Sequence, residues 1–167
     1  MRLLRTFSST AIALLCGAAV AGKPHVHGAG ALDVAIDGER LTIALEMPAD
    51  AALGFERAPR NATEKAAVAA MLGTLRDGAA LFKPNPEARC LLTGAKVTTP
   101  FAENTREEHA DIDASYEFRC ASPAALKSVE TTVFARFRQL YRLEARRVGP
   151  NGQAASRLAP KDPVLRW

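Results

Sequence analysis

Between Gly30 and Met47 the chain reads GALDVAIDGERLTIALEM, in which apolar and polar residues alternate on both sides of Asp37-Gly38. Leu32, Val34 and Ile36 come before that dipeptide, and Leu41, Ile43, Leu45 and Met47 come after it. A helix would scatter these side chains around its circumference, whereas a strand puts every second one on a single face. The stretch therefore predicts a β-hairpin with one buried face, turned at Asp37-Gly38. Under that turn, facing residues sum to 75, which pairs Leu32 with Ile43 and Val34 with Leu41.

The rest of the chain is read around this hairpin. MPADAALGFERAPR is expected as a connecting loop. Asn61, with Glu64 three residues on, resembles a capping box. Val68, Met71, Leu72 and Leu75 follow at helical spacing, predicting one main amphipathic helix from Ala62 to Arg76, ended by Asp77-Gly78. Lys83-Pro84-Asn85-Pro86 cannot continue a helix. Strands are expected over Cys90–Val97 and Ile112–Cys120, joined by a polar loop from Thr98 to Ala110. Ser122-Pro123 opens a short helical turn, and Thr131 to Val133 reads as extended. Phe134, Phe137 and Tyr141 recur at helical spacing, as a core stripe rather than a ligand platform. Leu143–Val148 and Ala154–Leu158 flank Gly149-Pro150-Asn151-Gly152 and predict a second hairpin. Hairpins with one main helix make the fold class α+β, an antiparallel sheet arrangement.

The opening residues carry Arg2 and Arg5 ahead of an apolar run from Ala11 to Val20, then the small-x-small triplet Ala19-Val20-Ala21. That is a signal-peptide layout over residues 1–21, and it leaves residues 22–167 as a single periplasmic domain. The apolar run is roughly half of the ~20 residues a spanning helix requires, so no stable membrane span is expected. Cys16 invites a lipoprotein reading, but Leu15 is bulky where such a signal wants a small residue. Without the leader, Cys90 and Cys120 form an even pair in an exported chain, with 29 residues between them. A disulfide is the reading, worth about 3–4 kcal/mol by loop closure. The alternative, a catalytic or metal-binding thiol pair, lacks the C-x-x-C spacing it would use. Loss of the leader also leaves 20 basic against 18 acidic residues, so charge lends no support to nucleic-acid binding.

The histidines are His25, His27 and His109. In an extended strand, His25 and His27 point to one face and can offer nitrogens to one zinc, copper or nickel ion, although an exposed strand without a ligand has the same pattern. Copper or nickel capture by a mature amino terminus beginning after Gly22 is disfavoured, because Pro24 has no amide proton to release. The polar loop gathers Glu107, Glu108, His109, Asp111 and Asp113. It can complete a zinc sphere if it folds towards His25 and His27, or it is simply a solvated acidic loop. The chain has no phosphate loop, nucleophile elbow or H-E-x-x-H helix, and it is not read as an enzyme. Arg136, Arg138, Arg142, Arg146, Arg147 and Arg157 make the C-terminal half locally basic, fit either for an acidic partner or for ordinary solvated faces. Asn61-Ala62-Thr63 matches a glycosylation sequon at a position that a helix cap explains equally well.

HVHGAGALDVAIDGERLTIALEMPAD, GFERAPRNATEKAAV, LRDGAALF, EARCLLTGAKV, EHADIDASYEFRCASPAALKS and the closing PVLRW together resemble the zinc-regulated periplasmic zinc-binding proteins, a family otherwise catalogued as a domain of unknown function. The resemblance runs from His25 to Trp167. It implies an exported Zn²⁺-binding protein that assists zinc acquisition or homeostasis, beside a zinc ABC uptake system. Members of the family usually carry a long His/Asp-rich insertion before the stretch matched by Glu108-His109-Ala110-Asp111, where this chain has only PFAENTREE. The positions that carry over are His25, His27, His109 and Asp111. The expected centre is Zn²⁺ on His25, His27 and His109 with a carboxylate from Glu108 or Asp111, its binding weakening as pH falls through about 6. The rival is a periplasmic adaptor module without metal.

Overall fold

A computed structural model describes residues 26–102 and 110–167. The leader, Cys16, His25, Glu107, Glu108 and His109 lie outside the described residues. The chain runs β1 (Ala29–Asp37), β2 (Arg40–Pro48), α1 (Ala49–Leu53), α2 (Ala62–Arg76), α3 (Gly78–Leu81), β3 (Phe82–Pro84), β4 (Cys90–Thr98), β5 (Asp111–Cys120), β6 (Ser128–Thr131), α4 (Val133–Arg136), β7 (Arg142–Gly149), β8 (Gly152–Leu158) and β9 (Val164–Arg166). Six strands form one sheet in the order β4-β5-β2-β1-β7-β8, and three form a second in the order β3-β6-β9. The class is α+β, mostly β.

The first hairpin forms with the expected faces but not the expected register. Leu32 pairs with Leu45, Val34 with Ile43 and Asp37 with Arg40, so facing residues sum to 77. The corner is Gly38-Glu39. Gly38, at φ 56, takes the first central position, where a type II′ turn needs glycine, rather than the second. Moving the corner by one residue shifts each pairing by two, which preserves the faces, and Leu32, Val34, Leu41, Ile43 and Leu45 are all buried. The second hairpin turns at Pro150-Asn151, closed by Gly149 opposite Gly152, and the positive φ of 83 falls on Gly152.

The large sheet is not antiparallel throughout, because β1 lies parallel to β7. Alternation within each strand is the same for either direction, so only the path of the intervening chain decides it. Three local expectations also change. The stretch after β2 is not all loop, since α1 starts directly at Ala49. Extended structure covers Ser128–Thr131, and Val133 opens a helical turn instead. The aromatic stripe is not one helix: Phe134 and Phe137 are buried, α4 ends at Arg136, and Tyr141 is half exposed at the entry to β7.

One face of the large sheet is covered by α2 and the small sheet. The Tyr116 ring of β5 packs on Phe82 of β3 at 5.0 Å between centroids, and its hydroxyl donates to the Leu75 carbonyl at 2.8 Å. Burial pushes the Tyr116 phenol far above its ordinary value. Helix α2 buries Met71 and Leu75 and is capped as expected, with Asn61 Oδ1 accepting from the Glu64 amide at 2.9 Å. The return arm of the capping box goes elsewhere: Glu64 accepts from the Arg60 amide, 2.6 Å. The other face of the sheet is open, and Asp33, Glu46, Asp113, Glu144 and Arg146 stand on it exposed. The expected disulfide, Cys90–Cys120, joins facing residues of β4 and β5 at the end of the sheet where the two hairpins turn.

Candidate metal centre

The opposite end of the sheet gathers the start of β1, the end of β2 and the starts of β5 and β7. There His27 and Gly28 form a turn, closed by the Ala29 amide donating to the Val26 carbonyl at 3.0 Å, so the extended H-x-H geometry does not include His27. Gly28 has φ 69, and a Cβ on it would lie 2.6 Å from the Gln139 carbonyl oxygen and 2.7 Å from the Tyr141 ring. The Tyr141 amide also donates to the Gly28 carbonyl, 2.9 Å. Only glycine fits both the conformation and the space, and the contact holds the backbone that carries His27.

The facing chain leaves β2 at Pro48 and enters α1 at once, anchored by the Ala49 amide donating to Ala110 at 2.8 Å. Asp50 lies in this short helix. Gly54, at φ 80, ends it in the left-handed conformation, its amide returning to the Asp50 carbonyl at 2.8 Å. That reversal lets Glu56 double back towards Asp50.

The result is a cluster of one imidazole and two carboxylates. His27 Nδ1 lies 2.6 Å from Asp50 Oδ2 and 3.8 Å from Glu56 Oε1. One donor atom from each of the three falls within 4.8 Å of the others. The His27 side chain is 78% exposed, while Asp50 and Glu56 are 21% and 24% exposed, so the imidazole meets solvent and the carboxylates line the floor. The hydrogen bond to Asp50, then its charge and that of Glu56, raise the His27 pKa above the ordinary 6.5. Asp50 Oδ1 is buried without a hydrogen-bond partner among the described residues.

Tetrahedral zinc holds nitrogen and oxygen donors at about 2.0–2.2 Å, which places donors roughly 3.3–3.5 Å apart. The contact from His27 to Glu56 is close to that spacing, and the contact to Asp50 is shorter. The short contact is that of a hydrogen bond, and an ion held on these donors would have to replace its proton and widen the pair. Neutral imidazole with two carboxylates is a donor set suited to Zn²⁺, and it leaves a fourth position open. Asp50 Oδ1, unpartnered among the described residues, would gain a partner from a cation held there.

Among the expected site residues, His27 lies in this cluster. Asp111 stands at the same end of the sheet, facing Pro48, but in a separate hollow of about 180 Å³ that also holds Glu46, Arg142 and Glu144. His25, Glu108 and His109 fall outside the described residues. Asp50 and Glu56 were missed because their segment read as loop. No local signal marked Asp50: the β1–β2 ladder runs from Ala31 opposite Glu46 to Asp37 opposite Arg40, His27 precedes it in a turn and Asp50 follows it in α1. The basic C-terminal half forms no single patch. Arg146 makes a fork on Asp33 at 2.6 Å, Arg157 pairs with Glu144, and Arg147 is buried over the Trp167 ring. No helix among the described residues is long and apolar enough to cross a membrane.

No curated protein matches the chain. A family model described as ZrgA family zinc uptake protein matches residues 24–167, which takes in His27, Asp50, Glu56 and the bridged Cys90 and Cys120. A match of that extent, over a fold that gathers an imidazole and two carboxylates at one sheet end, places the chain in a family: it belongs to the ZrgA family of zinc uptake proteins.

Proposed function

We propose that this protein captures Zn²⁺ in the periplasm, as cargo for an uptake system, and holds it on His27 Nδ1 and the carboxylates of Asp50 and Glu56. The observation that carries the reading is the cluster itself, with an exposed imidazole on two half-buried carboxylates and one carboxylate oxygen unsatisfied among the described residues. A fourth position open to solvent suits cargo, since a donor on another molecule can enter there before the protein's own ligands leave. Before transfer, that fourth position is proposed to be filled by one donor from His25, His109, Glu108 or Asp111. His25 adjoins Val26, and His109 adjoins Ala110, whose carbonyl bonds the residue before Asp50. Residues 1–21 are proposed as a cleaved leader, and the periplasmic component of a zinc ABC transporter as the recipient.

Calorimetric titration of zinc into the oxidised 22–167 protein tests this. The expected result is micromolar or tighter binding that is lost when His27, Asp50 and Glu56 are all changed to Ala. A further loss in the His25→Ala/His109→Ala variant supports the extended ligand set. Absence of any zinc stoichiometry in the wild-type protein overturns the proposal and favours a metal-free adaptor.

A further inference from the structure

Glu56 is held between two anchored neighbours. Phe55 packs against Phe101 with ring centroids 6.1 Å apart, and the Arg57 guanidinium lies over the Phe55 ring at 5.2 Å. Arg57 then makes a two-pronged bond to Glu64 in the first turn of α2, with Nη1 to Oε2 at 2.7 Å and Nη2 to Oε1 at 2.8 Å. Glu64 is fixed in turn by the Arg60 amide. These bonds, that from Arg57 first, hold the Glu64 carboxyl down at about 2. The fork therefore persists across any pH at which the protein would bind metal.

The charge arrangement matters as much as the anchoring. Arg57 is the nearest cation to Glu56 along the chain, and a free guanidinium there would pair with the Glu56 carboxylate and compete with a metal ion for it. Glu64 occupies both prongs instead. Among the described residues, the ion pair made by Glu56 is with His27.

We propose that Arg57, through its fork on Glu64, is a positioning residue for the metal centre: it holds the Glu56 segment in place and keeps its own charge away from the Glu56 carboxylate. This rests on the reading of His27, Asp50 and Glu56 as the zinc ligands. Arg57 touches no metal; its role is to leave Glu56 placed and clear of the guanidinium charge.

The test uses the full protein with Zn²⁺ in calorimetry and Co²⁺ in absorption spectroscopy, on Glu64→Gln, Arg57→Gln and the double variant, with melting curves recorded alongside. In Glu64→Gln the freed guanidinium falls on Glu56, so zinc binding weakens about tenfold and the Co²⁺ bands move towards those of Glu56→Gln. In Arg57→Gln the anchor is lost but no charge is released, and the loss is smaller. The double variant then binds more tightly than Glu64→Gln alone, although it lacks more of the anchoring. A merely structural pair gives the opposite order, with the double variant melting lowest and binding no better than either single one. That order overturns the proposal, as does unchanged binding in Glu64→Gln. If the wild-type protein binds neither ion, the ligand assignment itself falls, and the positioning role falls with it.

Discussion

The two ends of the six-stranded sheet are built on opposite plans. At one end the chain is closed on itself: Cys90 is bonded to Cys120, the Cys120 amide donates to the Glu39 carbonyl at 2.7 Å, Arg119 pairs with Glu39, and both hairpins turn there. At the other end, His27 shares a short hydrogen bond with Asp50, Asp50 keeps a buried oxygen without a partner among the described residues, and Glu56 returns on a left-handed glycine. Covalent closure at one end supplies stability that does not depend on the other, so the other end can carry unsatisfied groups.

Removing the bridge should have the largest effect. Changing both Cys90 and Cys120 to Ser should lower unfolding free energy by about 3–4 kcal/mol in denaturant titration, while zinc affinity of the folded protein stays within about twofold. A parallel collapse of zinc affinity would show that the ends are coupled, and the contrast would break. At the His27 end, Asp50→Asn should reduce zinc affinity by about 100-fold in calorimetry, with little change in melting temperature. An equal loss of stability without a loss of binding would make the cluster a structural cap.

The response to pH sharpens the same contrast. The folded-state pKa of His27 is raised, so the contribution of its charged pair with Asp50 is fully present below the unfolded value of 6.5 and is lost as pH rises through the folded value. Zinc has the opposite preference, since it must displace that proton. Its affinity should fall about tenfold per pH unit below the raised value, starting at higher pH than an isolated imidazole would suggest. Calorimetry from neutral to mildly acid pH reads the onset, and an onset below 6.5 would contradict the His27–Asp50 bond. The smallest effect belongs to the closed end. Arg119 and Glu39 are both exposed, so Glu39→Gln should cost less than about 1 kcal/mol in thermal melts and leave zinc binding unchanged.

What could be read in advance follows the range of the forces involved. The buried face of the first hairpin was legible, because alternation encodes it locally in Leu32, Val34, Leu41 and Ile43. Its register was not, because Asp37-Gly38 and Gly38-Glu39 are both plausible corners, and the choice depends on which central position receives the positive φ. Helix α2 was legible from Asn61 to Arg76, where cap and apolar spacing agree. Phe134, Phe137 and Tyr141 misled, since their spacing imitates a helix across a turn and a strand entry. Of the candidate metal cluster, His27 stood out by rarity. Asp50 and Glu56 looked like ordinary loop acids, and their meeting with His27 depends on the entry into α1 straight after β2 and on the reversal at Gly54.

By itself, then, the sequence determined which side chains of the first hairpin and of α2 face the core, which cysteines pair and that the class is α+β. Each of these is a matter of local period, capping or a count of two. The tertiary structure alone decided that β1 runs parallel to β7, that the cysteine bridge and the histidine cluster stand at opposite ends of one sheet, and that Asp50 and Glu56 meet His27. These arrangements join residues far apart in the chain, and they depend on strand order and on the φ angles of a few glycines, quantities that local patterning does not carry.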